Sequence, residues 1–148
     1  MSKVAQDTAA SVQRNFLILG AALFLIGLVS GLVTGFMSSP RLGLSAHLEG
    51  VMNGTFLLAV GAAWPYINLS DRLHQLTFWS LAFGTTVNWL SVQLAAFWGA
   101  GRMAPITAPG LEAAPWQEWI VMIGLAAITI AMLLGSILLL IGFVRARR

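Results

Sequence analysis

The chain has 148 residues, of which 58% are hydrophobic and 9% charged, where an ordinary soluble domain carries about a quarter charged residues. That balance excludes a water-soluble globule. The formal charge of +3 rests on a few residues at the ends of apolar segments, which gives no footprint for nucleic acid. The lack of cysteine removes disulfides, thiolate catalysis, iron–sulfur clusters and thiolate haem ligation.

The first apolar run extends from about Phe16 to Met37 and stops at Ser38, Ser39 and Pro40. It is too long for the apolar core of a cleavable signal peptide and reads as a retained membrane span. Gly20, Gly27, Gly31 and Gly35 form a small-residue face, the kind that lets helix backbones approach closely in lipid. The second span covers about Leu44 to Tyr66 and closes on Trp64, Pro65 and Tyr66, interfacial aromatics around a helix breaker. A polar turn from Asn68 to Gln75 leads into the third span, about Leu76 to Trp98. That span is the most polar, with Thr85, Thr86, Asn88, Ser91 and Gln93.

Gly99 to Gln117 is a long connection rich in glycine, proline and alanine, a length that is uncommon unless functional. It is expected to act as a lid. The fourth span, about Trp119 to Val144, is apolar throughout, stops at Arg145 and is expected to face lipid. The expected architecture is all-α: a single domain over 1–148, a four-helix transmembrane bundle. With four spans both termini share a side. That side carries Lys3, Arg14, Arg72, Arg145, Arg147 and Arg148, against Arg41 and Arg102 opposite. The positive-inside rule therefore puts both termini in the cytoplasm, with the bundle in the inner membrane.

Ionisable groups inside a membrane are costly and are functional candidates. They concentrate in Ala46-His47-Leu48-Glu49-Gly50-Val51-Met52-Asn53-Gly54. At about 100° per residue His47 shares a helix face with Gly43, Gly50, Gly54 and Gly61, while Glu49 and Asn53 lie together on a different face. A flat cofactor such as haem is expected on the glycine strip, ligated by His47, with Gly50 and Gly54 as its cradle; interfacial placement and helix packing are the competing uses of these residues. His74 stands off by nearly the length of the second span, about 40 Å at ~1.5 Å per residue. The two histidines cannot share one iron within a subunit. In the third span Asn88 needs a polar partner, for which Glu49 or Asn53 is the expected candidate.

The segment Ala46 to Gly54, the pair Asn88-Trp89, and Trp98-Gly99-Ala100-Gly101-Arg102-Met103 with Pro105 resemble the hydroxylaminobenzene mutases over roughly 16–144. More distantly the chain is similar to the styrene oxide isomerases, which share a histidine, five residues, then Asn-Gly, matched here by His47, Asn53 and Gly54. The resemblance implies a homotrimeric membrane isomerase binding haem b near a subunit interface. It puts His47 in the position of the axial ligand and Asn53 in that of a substrate-orienting amide. The implied reaction takes a small lipophilic arylhydroxylamine to an ortho-aminophenol, ferric haem acting as Lewis acid on the N–O group. Glu49 and Asn88 join Asn53 as candidate catalytic residues, for charge stabilisation, proton transfer and orientation of the migrating oxygen.

The isomerases use a tyrosine near the active site, whereas the single tyrosine here, Tyr66, falls at the far end of the second span. That departure argues against epoxide chemistry. A membrane haem subunit in electron transfer is the next alternative. A small four-span transporter is the most distant, since its membrane carboxylate belongs in the first span, which holds none.

Overall fold

The computed structural model describes residues 3–146. Arg147, Arg148 and the Lys3 side chain, which enter the count of basic residues above, lie outside the described residues. Four helices follow one another: α1 (Lys3–Gly31), α2 (Pro40–Ala63), α3 (Asp71–Trp98) and α4 (Pro115–Ala146), with single 3-10 turns at Thr34–Phe36 and Trp64–Tyr66. No strand occurs among the described residues.

The helix ends follow from local chemistry. Pro40 opens α2, where its missing N–H costs nothing, and the Ser39 hydroxyl accepts from Leu42 N at 3.4 Å. Pro65 cannot extend the α2 ladder, and the chain tightens into a 3-10 turn there. Gly99, with φ of 71°, terminates α3 in the left-handed region that glycine enters without strain. α1 begins well before the expected Phe16 and ends at Gly31 rather than Met37. Its N-terminal extension is held by Val12 and Phe16, both fully buried, and its C-terminal end is broken by the run of Gly31, Gly35, Ser38 and Pro40.

Each helix packs antiparallel on the next. α1 meets α2 where Gly20 faces Leu58, Gly27 faces Gly50, and Gly31 faces His47. A Cβ on Gly27 would lie 2.6 Å from the Gly50 carbonyl carbon, so this close crossing requires glycine. α3 meets α4 through Gly84 against Met132, Gly124 against Ser91 and Gly135 against Leu81. α4 is therefore not a lipid-facing outrigger alone, since this face docks on α3. α2 and α4 scarcely touch, so α3 stands between them, with Leu76, Trp79, Phe83, Leu90 and Phe97 on its exposed face.

Two apolar clusters occupy the two ends of the bundle. Phe16, Leu57, Trp64, Phe78 and Leu81 centre one. Met37, Leu42, Ala95, Ala96, Ala100 and Ala108 form the other, which draws the connection after α3 onto the bundle end.

Two helices, Asp7–Gly31 and Pro115–Ala146, are long and apolar enough to cross a membrane, yet only 28% of each apolar window is buried. The core helix of a soluble protein would be mostly buried. Here Leu32 is 80% exposed and Ile130 73%, an outward apolar surface that suits a membrane protein.

Candidate functional site

His47 stands in the second turn of α2, half-buried against the C-terminal end of α1. Its Nδ1 lies 2.8 Å from the carbonyl oxygen of Gly27. A carbonyl oxygen only accepts, so the bond requires the proton on Nδ1, and in the neutral ring the lone pair then belongs to Nε2. Nε2 has no partner among the described residues and is not enclosed. A carbonyl-tethered imidazole with a free outer nitrogen has the chemistry of a metal ligand. The donor chemistry of His47 thus fits a ligand that would hold haem iron.

The glycine strip does not fit the cradle expected for it. Gly50 packs on the Gly27 backbone and the Trp89 ring, and Gly54 packs on Phe24. Both are buried, and α1 occupies the space that a macrocycle would need. The small-residue face joins two helices, as close packing in lipid demands. Gly50 and Gly54 therefore act on the site by holding α1, and with it the Gly27 carbonyl, against His47.

Glu49 and Asn53 leave α2 toward α3. The Asn53 amide donates from Nδ2 to the Thr85 carbonyl at 3.2 Å, which leaves Oδ1 as its free acceptor. Glu49 is half-buried, and its Oε2 is buried with no partner among the described residues. A buried carboxylate oxygen with no partner is expensive; it suits a site whose remaining partner comes from elsewhere. Asn88 is half-buried on α3. By helical spacing it lies about 60° from Thr85, away from the exposed face of Trp79, Phe83 and Leu90. The expected bond from Asn88 to Glu49 or Asn53 does not form; Thr85 takes the Asn53 amide instead.

The structure thus ties Asn53 to α3 through the Thr85 carbonyl, with Glu49 one turn earlier on the same face of α2. It does not bring them to His47, which sits roughly 160° from Glu49 around the α2 axis. Trp89 Nε1 and Gln93 Oε1, on α3, are also buried without partners among the described residues, and Gln93 gives its amide only to Met37 Sδ, at 3.9 Å.

Above this end lies the connection 99–114. Glu118, 2% exposed, accepts from Arg102 N at 3.3 Å on one carboxylate oxygen and from Ala113 N at 3.2 Å on the other. One side chain thereby pins both ends of the connection. Glu118 is a buried structural residue that the polarity of the spans does not single out. Its signal was the helix start Pro115-Trp116-Gln117-Glu118, a proline at the first position with a carboxylate in the first turn. Tyr66 and His74 lie at the opposite end of the bundle, beyond reach of His47.

The family model for styrene oxide isomerase matches residues 12–144. Hydroxylaminobenzene mutase HabB of Ectopseudomonas oleovorans is 45% identical over 137 residues, covering 92% of this chain and 84% of that protein. Hydroxylaminobenzene mutase HabA of the same organism is 46% identical over 127 residues, covering 85% of this chain and 94% of that protein. No solved structure matches. The match takes in α2 and α3 entire, with His47, Glu49, Asn53 and Asn88. The chain belongs to the styrene oxide isomerase family, and it is an isomerase of the kind represented by the hydroxylaminobenzene mutases.

Proposed function

We propose that this protein is a four-span, homotrimeric mutase of the inner membrane, with both termini cytoplasmic, that rearranges an arylhydroxylamine such as hydroxylaminobenzene to 2-aminophenol. The observation that carries the reading is the kinship, at about 45% identity over most of the chain, with two proteins named for that activity. The tethered imidazole of His47 supports the haem b component. Haem b bound there would supply a Lewis acid to the N–O group.

The chain's own residues have defined tasks. The Gly27 carbonyl fixes the His47 tautomer and leaves Nε2 as the atom that would hold the haem iron. Net, the N–O bond breaks, a C–O bond forms at the ortho ring carbon, and the proton lost from that carbon is returned to nitrogen, so no external reductant enters. Glu49, with a carboxylate oxygen unpaired, takes the ring proton and faces the positive charge that develops as N–O breaks. The free Asn53 Oδ1 and the Asn88 amide orient the migrating oxygen.

Because Glu49 and Asn53 diverge from His47 around α2, one substrate meets both sets when they come from neighbouring copies. A homotrimer with the haem at the subunit contact satisfies that requirement. The apolar exterior suits entry of a lipophilic substrate from the bilayer and keeps water from a cationic intermediate.

Epoxide isomerisation of the styrene oxide type is the second reading, supported by the family match and opposed by the distance of Tyr66 from His47. Electron transfer needs a paired second ligand, and His74 is at the other end, packed on Trp64. The test is conversion of hydroxylaminobenzene by the purified, haem-supplied protein, with 2-aminophenol as the expected product. A folded, haem-replete protein that forms none contradicts the proposal.

A further inference from the structure

Two side-chain donors converge on the carbonyl oxygen that tethers His47. Ser30 Oγ donates to Gly27 O at 2.8 Å, and His47 Nδ1 donates to the same oxygen at 2.8 Å. Ser30 lies in the last turn of α1 and is 5% exposed. Gly27, Ser30 and Gly31 stand at i, i+3 and i+4, so they share one face of that helix. The imidazole rests on this face: a Cβ on Gly31 would sit 2.6 Å from His47 Nδ1 and 3.0 Å from Cε1. Bare backbone at Gly31 admits the ring, and Gly27 O holds it.

A serine hydroxyl inside a helix often returns its proton to a carbonyl about one turn back, which satisfies the hydroxyl and has no further consequence. Here the acceptor also serves His47. A carbonyl oxygen has two lone pairs, and each proton brought to it draws electron density away from the other. Two donors on one oxygen therefore weaken each other, the reverse of the strengthening that runs along a chain of hydrogen bonds. The hydrogen bond at the outer ring nitrogen of a ligating histidine sets how strongly the inner nitrogen donates to a metal. Ser30 thus reaches Nε2 through one shared atom.

We infer that Ser30 is a positioning residue for His47, its hydroxyl competing for the Gly27 carbonyl and so moderating the donor strength of Nε2. It touches neither substrate nor cofactor and acts only through Gly27 and the imidazole. A weaker donor at Nε2 leaves a bound iron more electrophilic, as Lewis-acid polarisation of an N–O group requires. That consequence rests on the reading of His47 as a haem ligand; the shared carbonyl does not.

The first readout needs no haem. The full-length chain, its histidines labelled with heavy nitrogen, is placed in lipid nanodiscs and the ring resonances are recorded. The chain has two histidines, so His74→Phe assigns the His47 signals. Wild type is expected to carry the His47 proton on Nδ1. In Ser30→Ala, with helical circular dichroism as in wild type, that proton is expected to move downfield, the mark of a stronger hydrogen bond. Ser30→Thr keeps a hydroxyl and is expected to bring the resonance back toward wild type. In the haem-supplied protein Ser30→Ala is expected to favour ferric over ferrous iron at least about threefold more than wild type. That is a fall of about 28 mV in midpoint potential, at about 59 mV per tenfold for one electron.

A proton that stays in place or moves upfield in folded Ser30→Ala overturns the inference, as does a wild-type proton on Nε2. A Ser30→Thr resonance that follows Ser30→Ala overturns it too, as does an unchanged potential once haem is bound. A chain that binds no haem overturns the haem reading instead, while the ring resonances still decide whether Ser30 and His47 compete.

Discussion

The His47 imidazole and the Gly27 carbonyl are joined at 2.8 Å across the α1–α2 crossing, and the crossing is close enough for that bond only because Gly27 and Gly50 both lack side chains. Packing and ligand chemistry therefore depend on the same two glycines. Substituting Gly50 by valine puts atoms into the Gly27 backbone and the Trp89 ring. The expected cost is about 1–3 kcal/mol of stability, read as a lower melting temperature in detergent. Haem affinity falls with it, as the separated helices withdraw Gly27 O from His47.

Glu118 holds the connection 99–114 by two backbone donors. Glu118→Ala leaves both N–H groups unpaired, at about 1–3 kcal/mol for each one that stays buried. Limited proteolysis is expected to cut within 99–114 in this variant and to spare the wild type. Glu118→Gln keeps one acceptor oxygen and is expected to fall between them.

Glu49 and Asn53 make the chemical half of the proposal. Glu49→Gln is expected to lower kcat by about 10²-fold, the low end of general acid–base contributions, with the haem spectrum unchanged. Asn53→Ala removes both the acceptor oxygen and the bond to the Thr85 carbonyl, and is expected to lose about as much. Full activity in either variant, with haem retained, removes that residue from the mechanism.

His74 sits at the start of α3, outside the apolar span, and burial pushes its pKa below the usual 6.5, against the opposing pull of Asp71 and the Leu69 backbone. Unfolding exposes a ring that takes up a proton near 6.5, which the folded protein takes up only at lower pH. Its contribution to stability is complete above 6.5 and is lost as pH falls toward the folded value. The melting temperature is expected to drop from about pH 7.5 to about pH 5.5, and less steeply in His74→Phe.

Much of this was legible in the chain itself. Composition pointed to a membrane protein, helix breakers at Pro40, Pro65 and Gly99 placed the turns, and a local concentration of polar groups marked His47, Glu49 and Asn53 as candidates. What periodicity left open was the partner of each face. Gly43, Gly50, Gly54 and Gly61 share a stripe with His47 whether that stripe meets a cofactor or a helix, and only the position of α1 decides between them. The bond from Asn53 to Thr85 was hidden for a similar reason: the acceptor is a backbone carbonyl, and every residue has one.

The central claim is that His47 presents Nε2 to haem iron. It is tested most directly by absorption spectra, oxidised and reduced, of the haem-supplied protein as wild type and as His47→Ala. A Soret band in the wild type that is lost from a folded His47→Ala protein is the predicted result. A folded wild type with no Soret band, or a band that His47→Ala leaves intact, contradicts it.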